Sequence, residues 1–260
     1  MAYRRFDIPK NPRTLARSDW VDWAAEEGAL ASVAPTLSAT CAVCFGAVGV
    51  DANDIPYPQC QHCWQYRTVI AGVVPILYSM DSGFESLLHQ YKDFGTGHRW
   101  LALPIVSVLE DFLVGHIGCI SARYGALDLA TVVPSGNHSR GFDHLKQVIS
   151  LKTDWSIQWD LTVVDKAKVG RPGRGVIDPS FYVVSPSADL DGKTVLLMDD
   201  TWTSGSSMVS VARALRDHGA RGVVAMPIGR QLNAHFGDAD SLMKISGNRG
   251  YNNEKCVICD

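Results

Sequence analysis

The sequence lacks the features that mark secreted, membrane-bound or strongly charged proteins. We expect no apolar stretch to be long enough to cross a bilayer, and the segment around Arg4 and Arg5 has no apolar core of the signal-peptide kind. The net charge is only -3 over 260 residues, so the chain as a whole has no electrostatic attraction to nucleic acid or anionic lipid. These absences predict a cytoplasmic protein without a membrane partner.

The chain has seven cysteines, and their placement is informative. Six of the seven cysteines lie in Cys-x-x-Cys pairs, which in a reducing compartment indicate a metal site more than disulfides. Two of these pairs lie close together, separated by a loop of fifteen residues. This spacing predicts a tetrahedral structural zinc site with four thiolates and no open position for catalysis. The predicted ligands are Cys41, Cys44, Cys60 and Cys63.

The third pair, Cys256 and Cys259, is isolated near residue 260 and cannot complete a metal site by itself. Two free thiols are the preferred interpretation. A role with the first cluster, or a metal held between subunits, stays open. Cys119 lies on an apolar helical stretch and is predicted to be a core residue. His89, His98 and His116 show no metal-binding spacing.

A short buried strand at residues 195–198 is followed by two carboxylates, a hydroxyl-rich turn and an apolar helical pattern. The turn therefore opens a helix, whose unpaired N–H groups and positive dipole end favour an anion. The adjacent carboxylates can accept hydrogen bonds from a sugar diol. A ligand with a phosphate and a diol is predicted, held by Asp199, Asp200, Thr203, Ser204, Gly205, Ser206 and Ser207.

Two other phosphate-related patterns fit this chain poorly. A receiver domain would carry a separate acidic pair earlier in the chain and no such turn. The fragment Gly192-Lys193-Thr194 resembles the end of a P-loop, but it precedes a strand, and Ser187 stands where the first glycine is required. A simple turn is the better interpretation of that fragment.

A second polar segment follows the buried strand at residues 129–133. Ser135 and Gly136 allow backbone amides to approach a pyrophosphate closely, and Arg140 supplies positive charge. A third segment, at residues 167–178, combines glycine and proline with basic side chains, and is predicted to be a mobile lid over pyrophosphate, with a solvated loop as the alternative. The basic residues concerned are Lys166, Lys168, Arg171 and Arg174.

Strands and helices alternate through the second half of the chain, which predicts an α/β fold with a mainly parallel sheet flanked by helices. We expect four regions: an N-terminal helical segment (1–37), a small ribbon-like zinc-binding module (38–67), the main domain (68–235) and a tail with the last cysteine pair (236–260). The module is too small to own a core without a metal.

The order of these motifs resembles that of ComF-like competence proteins and their GntX relatives, within the type I phosphoribosyltransferases. The resemblance covers residues 41–228, and includes Tyr91-Lys92 and Arg140-Gly141-Phe142. It implies transfer of ribose 5-phosphate from phosphoribosyl pyrophosphate, with Mg²⁺, to a nucleobase or amine that the sequence does not identify.

The resemblance also implies a role for each motif. Asp199 and Asp200 would take the ribose hydroxyls, residues 203–207 the 5'-phosphate, and Arg140 with residues 135–137 the pyrophosphate. The chain departs from the family at Asp143-His144, where Asn-Gln is usual. No residue stands out as a general base.

The resemblance supports a second function as well, that of a non-catalytic phosphoribosyl-pyrophosphate-binding protein in DNA uptake. Such a protein would contact single-stranded DNA or a competence-type protein partner. The region of the four cysteines argues against nucleic-acid binding, because its only charged side chains are Asp51 and Asp54 and the nearest cation is Arg67.

Overall fold

The computed structural model of the protein describes residues 3–33, 40–80, 83–93, 95–136, 142–233 and 235–259, without the side chains of residues 13 and 249. Within this part of the chain, the helices are α1 (Arg17–Glu26), α2 (Gln61–Tyr66), α3 (Phe84–Asp93), α4 (Ala102–Tyr124), α5 (His144–Ser150), α6 (Ser206–Asp217) and α7 (Ala239–Arg249). The strands are β1 (Gly72–Val73), β2 (Leu77–Ser79), β3 (Leu129–Val132), β4 (Val164–Lys166), β5 (Tyr182–Val184), β6 (Thr194–Trp202) and β7 (Gly222–Gln231).

The main sheet is parallel throughout, and β6 and β7 form its centre. β3 pairs with the outer side of β6, whereas the short strands β1 and β2 pair one after the other with β7. β4 and β5 form a separate antiparallel ribbon. The predicted mainly parallel α/β sheet with flanking helices is confirmed.

Side chains of the central strands alternate between two hydrophobic cores, one on each face of the sheet. In β6, for example, Leu196 and Met198 point to one core, and Val195 and Leu197 point to the other. The first core is covered by α1, α3, α4 and α5, and the second by α6, the β4–β5 ribbon and the segment that holds the first four cysteines. Strands buried on both faces explain the continuous apolar runs in the sequence.

β6 is longer than the sequence predicted. The strand pattern indicated an end at Met198, but the ladder continues to Trp202, with Asp199 beside Pro227 and Thr201 beside Gly229. The two carboxylates therefore lie within the strand, where the ladder to β7 fixes their positions.

The expectation that no apolar stretch is long enough for a membrane is wrong. The continuous helical segment Thr96–Tyr124 is long and apolar enough by length and composition alone. In the structure 56% of its most apolar window is buried, and α4 packs against α1 and α5 in the first core. The apolar composition of this helix is explained by packing inside the protein.

Candidate active site and cysteine clusters

A pocket of about 950 Å³ lies at the carboxyl ends of β3 and β6, where open parallel sheets bind ligands. The residues that were predicted to hold the ribose, the 5'-phosphate and the pyrophosphate, and that the structure describes, line this pocket. These residues are Ser135, Gly136, Asp199, Asp200, Thr203, Ser204, Gly205, Ser206 and Ser207. Arg140 lies outside the described residues.

Asp200 is held by two cationic or protonatable side chains from different helices. Lys92, in the last turn of α3, forms an ion pair with its carboxylate, and His144 Nε2 lies 2.5 Å from its Oδ2. Burial alone would raise the pKa of Asp200, but the charge of Lys92 and the hydrogen bond from His144 outweigh it and hold that pKa well below the usual value. Asp200 is therefore ionised.

His144 is a pocket residue that sequence reasoning missed. It opens α5, directly after the N-cap residue Asp143, and its Nδ1 has no hydrogen-bond partner among the described residues. Asp143 Oδ2 also accepts a hydrogen bond from the backbone N–H of Ser135, at 3.0 Å. The signal was the departure from the family's Asn-Gln pair at these two positions.

Asp199 behaves differently from its neighbour. Burial raises its pKa well above the ordinary carboxyl value, and the adjacent charge of Asp200 raises it further. The pair therefore carries less negative charge in the free protein than two isolated carboxylates would. Carboxylate oxygens are suitable ligands for Mg²⁺, and a cation beside Asp199 would stabilise its ionised form.

The hydroxyl-rich turn lies between β6 and α6. Gly205 adopts a φ of 82°, and an added Cβ would lie 2.3 Å from the ring of Trp202. Trp202 is 1% exposed and packs beneath the turn. Glycine is thus required here for both backbone conformation and space. The turn leaves the first N–H groups of α6 available for an anion.

The basic loop between β4 and β5 forms the opposite wall of the pocket. Gly136 approaches it so closely that an added Cβ would lie 2.5 Å from the carbonyl oxygen of Gly170. The loop also contacts the hydroxyl-rich turn, residues 203–207, which is called the phosphate turn below. The N–H of Gly175 donates to Ser206 Oγ at 2.7 Å. Three of the four predicted cations line the pocket, namely Lys166, Arg171 and Arg174. Lys168 is directed elsewhere and donates to Ser180 Oγ.

The first four cysteines converge as the sequence predicted. Their sulfur atoms all lie within 4.8 Å of one another. The Sγ atoms of Cys44 and Cys60 are 3.9 Å apart, close to the edge of about 3.8 Å that tetrahedral Zn–S bonds of 2.3 Å would give. The N–H groups of Val43 and Cys60 point to Cys41 Sγ, at 3.5 and 3.3 Å. This cluster could hold a metal ion.

A buried arginine connects this cluster with the phosphate turn. The guanidinium of Arg230 lies 3.5 Å from Cys44 Sγ, and it also donates to the carbonyl oxygens of Cys44 and Trp202, at 3.0 and 3.1 Å. His62, in the second Cys-x-x-Cys pair, lies against Gly175 of the basic loop. Through Arg230 and His62, the cluster is connected to two walls of the pocket, the phosphate turn and the basic loop.

Cys256 and Cys259 do not join the first cluster. They lie beside His116 and Cys119 of α4, and the four potential donor atoms are within 4.8 Å of one another. Cys256 and Cys259 are free thiols in this structure, but together with His116 and Cys119 they form a group that could hold a metal ion. Nothing in the linear spacing showed this, because the partners are 137 residues apart.

Comparison with known proteins agrees with this geometry. A family model described as Phosphoribosyl transferase domain matches residues 139–227, which include the acidic pair, the hydroxyl-rich turn and the whole basic loop. No curated protein matches the chain. The matched domain supports phosphoribosyl transfer as the general reaction, with phosphoribosyl pyrophosphate as the substrate. The finer resemblance to ComF-like proteins stays a prediction.

Proposed function

We propose that the protein is a Mg²⁺-dependent phosphoribosyltransferase that moves ribose 5-phosphate from phosphoribosyl pyrophosphate to a nitrogen nucleophile. One observation carries this proposal: a single pocket combines an acidic pair, a hydroxyl-rich helix N-terminus and three cations from a facing loop. A diol, a monophosphate and a pyrophosphate are the three groups that this combination suits.

Each part of the pocket takes one part of the donor. The turn from Thr203 to Ser207 and the first N–H groups of α6 receive the 5'-phosphate. Asp199 and Asp200 accept hydrogen bonds from the ribose hydroxyls. Ser135 and Gly136, with Arg140, hold the pyrophosphate.

The basic loop covers the leaving group. During transfer, the bond from C1' to a pyrophosphate oxygen breaks, and pyrophosphate leaves with the electron pair. A bond from C1' to the acceptor nitrogen forms, and the proton that this nitrogen gives up passes to solvent. The positive side chains of Lys166, Arg171 and Arg174 stabilise the charge that develops on pyrophosphate, and the pocket positions the acceptor. When bound, Mg²⁺ would neutralise further charge on the pyrophosphate. Asp199 and Asp200 are the residues suited to hold it.

The four-cysteine cluster is proposed to bind a structural Zn²⁺ that orders residues 38–67. The four sulfurs fill a tetrahedral set and leave no position for a substrate. We divide the chain into this module, an N-terminal segment (1–37), a transferase domain (68–235) and a tail (236–260). A cytoplasmic location suits the reduced thiols of this arrangement.

Pyrophosphate release tests the transferase proposal. The protein is incubated with phosphoribosyl pyrophosphate, Mg²⁺ and a panel of nucleobases and amines. Asp200→Asn should lower the rate by at least about 10²-fold, because Lys92 and His144 lose their charged partner and the ribose loses an acceptor. Asp189→Asn is the matched control, since Asp189 is an exposed carboxylate that pairs with Lys193. Equal rates for wild type and Asp200→Asn would contradict the site assignment.

One observation favours a second function, binding of single-stranded DNA. Trp64 of α2 is 60% exposed, and the guanidinium of Arg67 lies 4.1 Å from its ring centroid. Exposed aromatic rings beside arginine can stack on unpaired bases. If wild type binds a labelled oligonucleotide at low salt and Trp64→Ala does not, this function is supported. Absence of binding by wild type would exclude it.

A further inference from the structure

The second cysteine cluster has the donor set and the spacing of a closed metal site. Along one circuit, Sγ of Cys119 lies 3.5 Å from Sγ of Cys256, which lies 3.6 Å from Sγ of Cys259. His116 Nδ1 closes the circuit, at 3.5 Å from Cys259 Sγ and 3.9 Å from Cys119 Sγ. A tetrahedral zinc ion with bonds of 2.0–2.3 Å would place its ligands about 3.6–3.8 Å apart.

His116 is oriented as a metal ligand. Its other ring nitrogen, Nε2, lies 3.1 Å from the backbone carbonyl oxygen of Asn253. A hydrogen bond from Nε2–H to this oxygen leaves the lone pair on Nδ1, which faces the three sulfurs. Histidine ligands of zinc usually make such a bond with their second nitrogen, because it fixes the tautomer and the ring orientation.

The tail cysteines form the same local turn as the first cluster. The N–H of Ile258 points to Cys256 Sγ at 3.4 Å, as the N–H of Val43 points to Cys41 Sγ at 3.5 Å. On the facing element, His116 and Cys119 are three residues apart on α4, so both project from one side of the helix. A helical pair and a turn pair thus converge on one point.

We propose that His116, Cys119, Cys256 and Cys259 bind a second Zn²⁺, which fastens residues 250–259 to α4. Three thiolates and one imidazole are a known donor set for structural zinc. The site has no role in the transfer reaction, because none of its four residues lines the pocket. The cavity beside the tail holds about 10 Å³, roughly the space of a single water molecule, so no substrate fits there.

Contacts around the cluster show what the metal would secure. The amide of Asn253 donates to the carbonyl oxygen and to Oδ2 of Asp111, at 2.9 and 2.8 Å. Tyr251 OH donates to the same carboxylate, and Ile258 packs on the first core. These residues have no regular secondary structure, so side-chain contacts and the proposed metal hold them in place.

Metal counting on the full chain tests the proposal. Wild type, purified under reducing conditions without a metal-binding tag, should contain about two zinc ions, one for each cluster. The double variant Cys256→Ser/Cys259→Ser should contain about one, as should Cys60→Ser, and the combination should contain almost none. Val257→Ala is the matched control, because it alters the same turn and keeps all four donors.

X-ray absorption at the zinc edge separates the two sites. In Cys60→Ser the remaining zinc should show about three sulfur neighbours and one nitrogen, and in the tail double variant about four sulfurs. Hydrogen exchange reports on the order of the tail without a measurement of metal content. The amides of residues 250–259 should lose protection in the tail variant, while those of β6 and β7 keep theirs.

Either of two results would overturn the proposal. The first is a zinc content of one ion per chain in wild type, unchanged in the tail double variant and close to zero in Cys60→Ser. The second is a disulfide between Cys119 and Cys256 in reduced preparations, detected by mass. Normal circular dichroism of the tail variant shows that lost zinc does not reflect an unfolded chain.

Discussion

The two cysteine clusters share their local chemistry, but their surroundings are different. Each pairs a Cys-x-x-Cys turn with a second pair of donors, and each has a backbone N–H directed at a sulfur. The first cluster is packed into a hydrophobic core and contacts Arg230, which reaches the phosphate turn. The second lies between α4 and the tail, and its last ligand, Cys259, is exposed.

This difference shows that two clusters with similar donor groups can contact different parts of one fold. The first cluster is connected to the pocket by two side chains. Arg230 reaches the hydroxyl-rich turn, and His62 lies against the basic loop. The second lies against α4 and the first core, and none of its four residues lines the pocket. We therefore expect damage to the first cluster to reach the substrate site, and damage to the second to stay in the tail.

The largest effect is expected from Cys44→Ser compared with Cys256→Ser. Loss of the Cys44 thiolate removes the sulfur partner of the buried Arg230 guanidinium and leaves it with carbonyl oxygens, which should lower the free energy of unfolding by about 3–5 kcal/mol. It should also weaken binding of phosphoribosyl pyrophosphate at least about tenfold. Cys256→Ser should cost about 1–2 kcal/mol and leave binding unchanged. Urea unfolding and calorimetric titration give both quantities, and equal losses of affinity would break the comparison.

Arg230→Met tests the contact between the first cluster and the phosphate turn without removing a cysteine of the cluster. The variant keeps most of the side-chain volume but removes the hydrogen bonds to Cys44 and Trp202. It should retain the zinc of the first cluster, lose about 2 kcal/mol of stability and bind phosphoribosyl pyrophosphate more weakly. Arg213→Met, which removes an exposed pair with Asp217, is the control. Unchanged substrate affinity in Arg230→Met would show that the clusters are equally remote from the pocket.

The pH dependence of substrate binding should respond to the pocket and not to the tail. Burial and the adjacent Asp200 raise the pKa of Asp199, so its carboxyl is protonated at pH values where an ordinary carboxyl is ionised. Since the ionised form suits the ribose hydroxyls and Mg²⁺, affinity should rise as pH increases through this raised pKa, with release of a proton. Asp199→Asn should bind weakly and flatten the profile, whereas Cys259→Ser should leave it unchanged. Calorimetry in buffers of different ionisation enthalpy measures the proton.

The smallest effect is expected from Asn253→Ala. This change removes two hydrogen bonds to Asp111 and should cost about 1 kcal/mol of stability. The backbone carbonyl of Asn253, which contacts His116 Nε2, remains in this variant but loses the side-chain bonds that position it, so zinc affinity of the second cluster should also fall by about tenfold. Asn252→Ala is the control, since its side chain is exposed and accepts from the N–H of Glu254. Zinc affinity is measured by competition with a chelator. Equal affinities for wild type and both variants would contradict the role of Asn253 in orienting His116.

Much of this arrangement is predictable from the sequence, because the relevant patterns are short in range. The apolar runs predicted the parallel sheet, and the strand, acidic pair and turn predicted neighbouring pocket residues. Two pairs of cysteines with one short loop between them predicted the first cluster. The partners of Asp200 were harder to find, since Lys92 and His144 reach it from helices that are distant in the chain.

The second cluster could not be predicted either, because its donors are distant from one another in the chain. His-x-x-Cys on an apolar helix is indistinguishable from core packing until the tail is placed beside it. The burial of Arg230 was equally hidden, because an arginine at the end of a strand normally extends into solvent. Long-range packing, and not local propensity, decides such contacts.

The separation of Cys119 and Cys256 has a consequence for the order of folding during synthesis. The donors of the first cluster leave the ribosome before any strand of the main sheet, so this cluster can assemble at once. His116 and Cys119 must wait until 137 more residues, including β3, β6 and β7, have been made. A metal ion in the second cluster would therefore seal a domain that has already folded, whereas the first could guide its folding from the beginning.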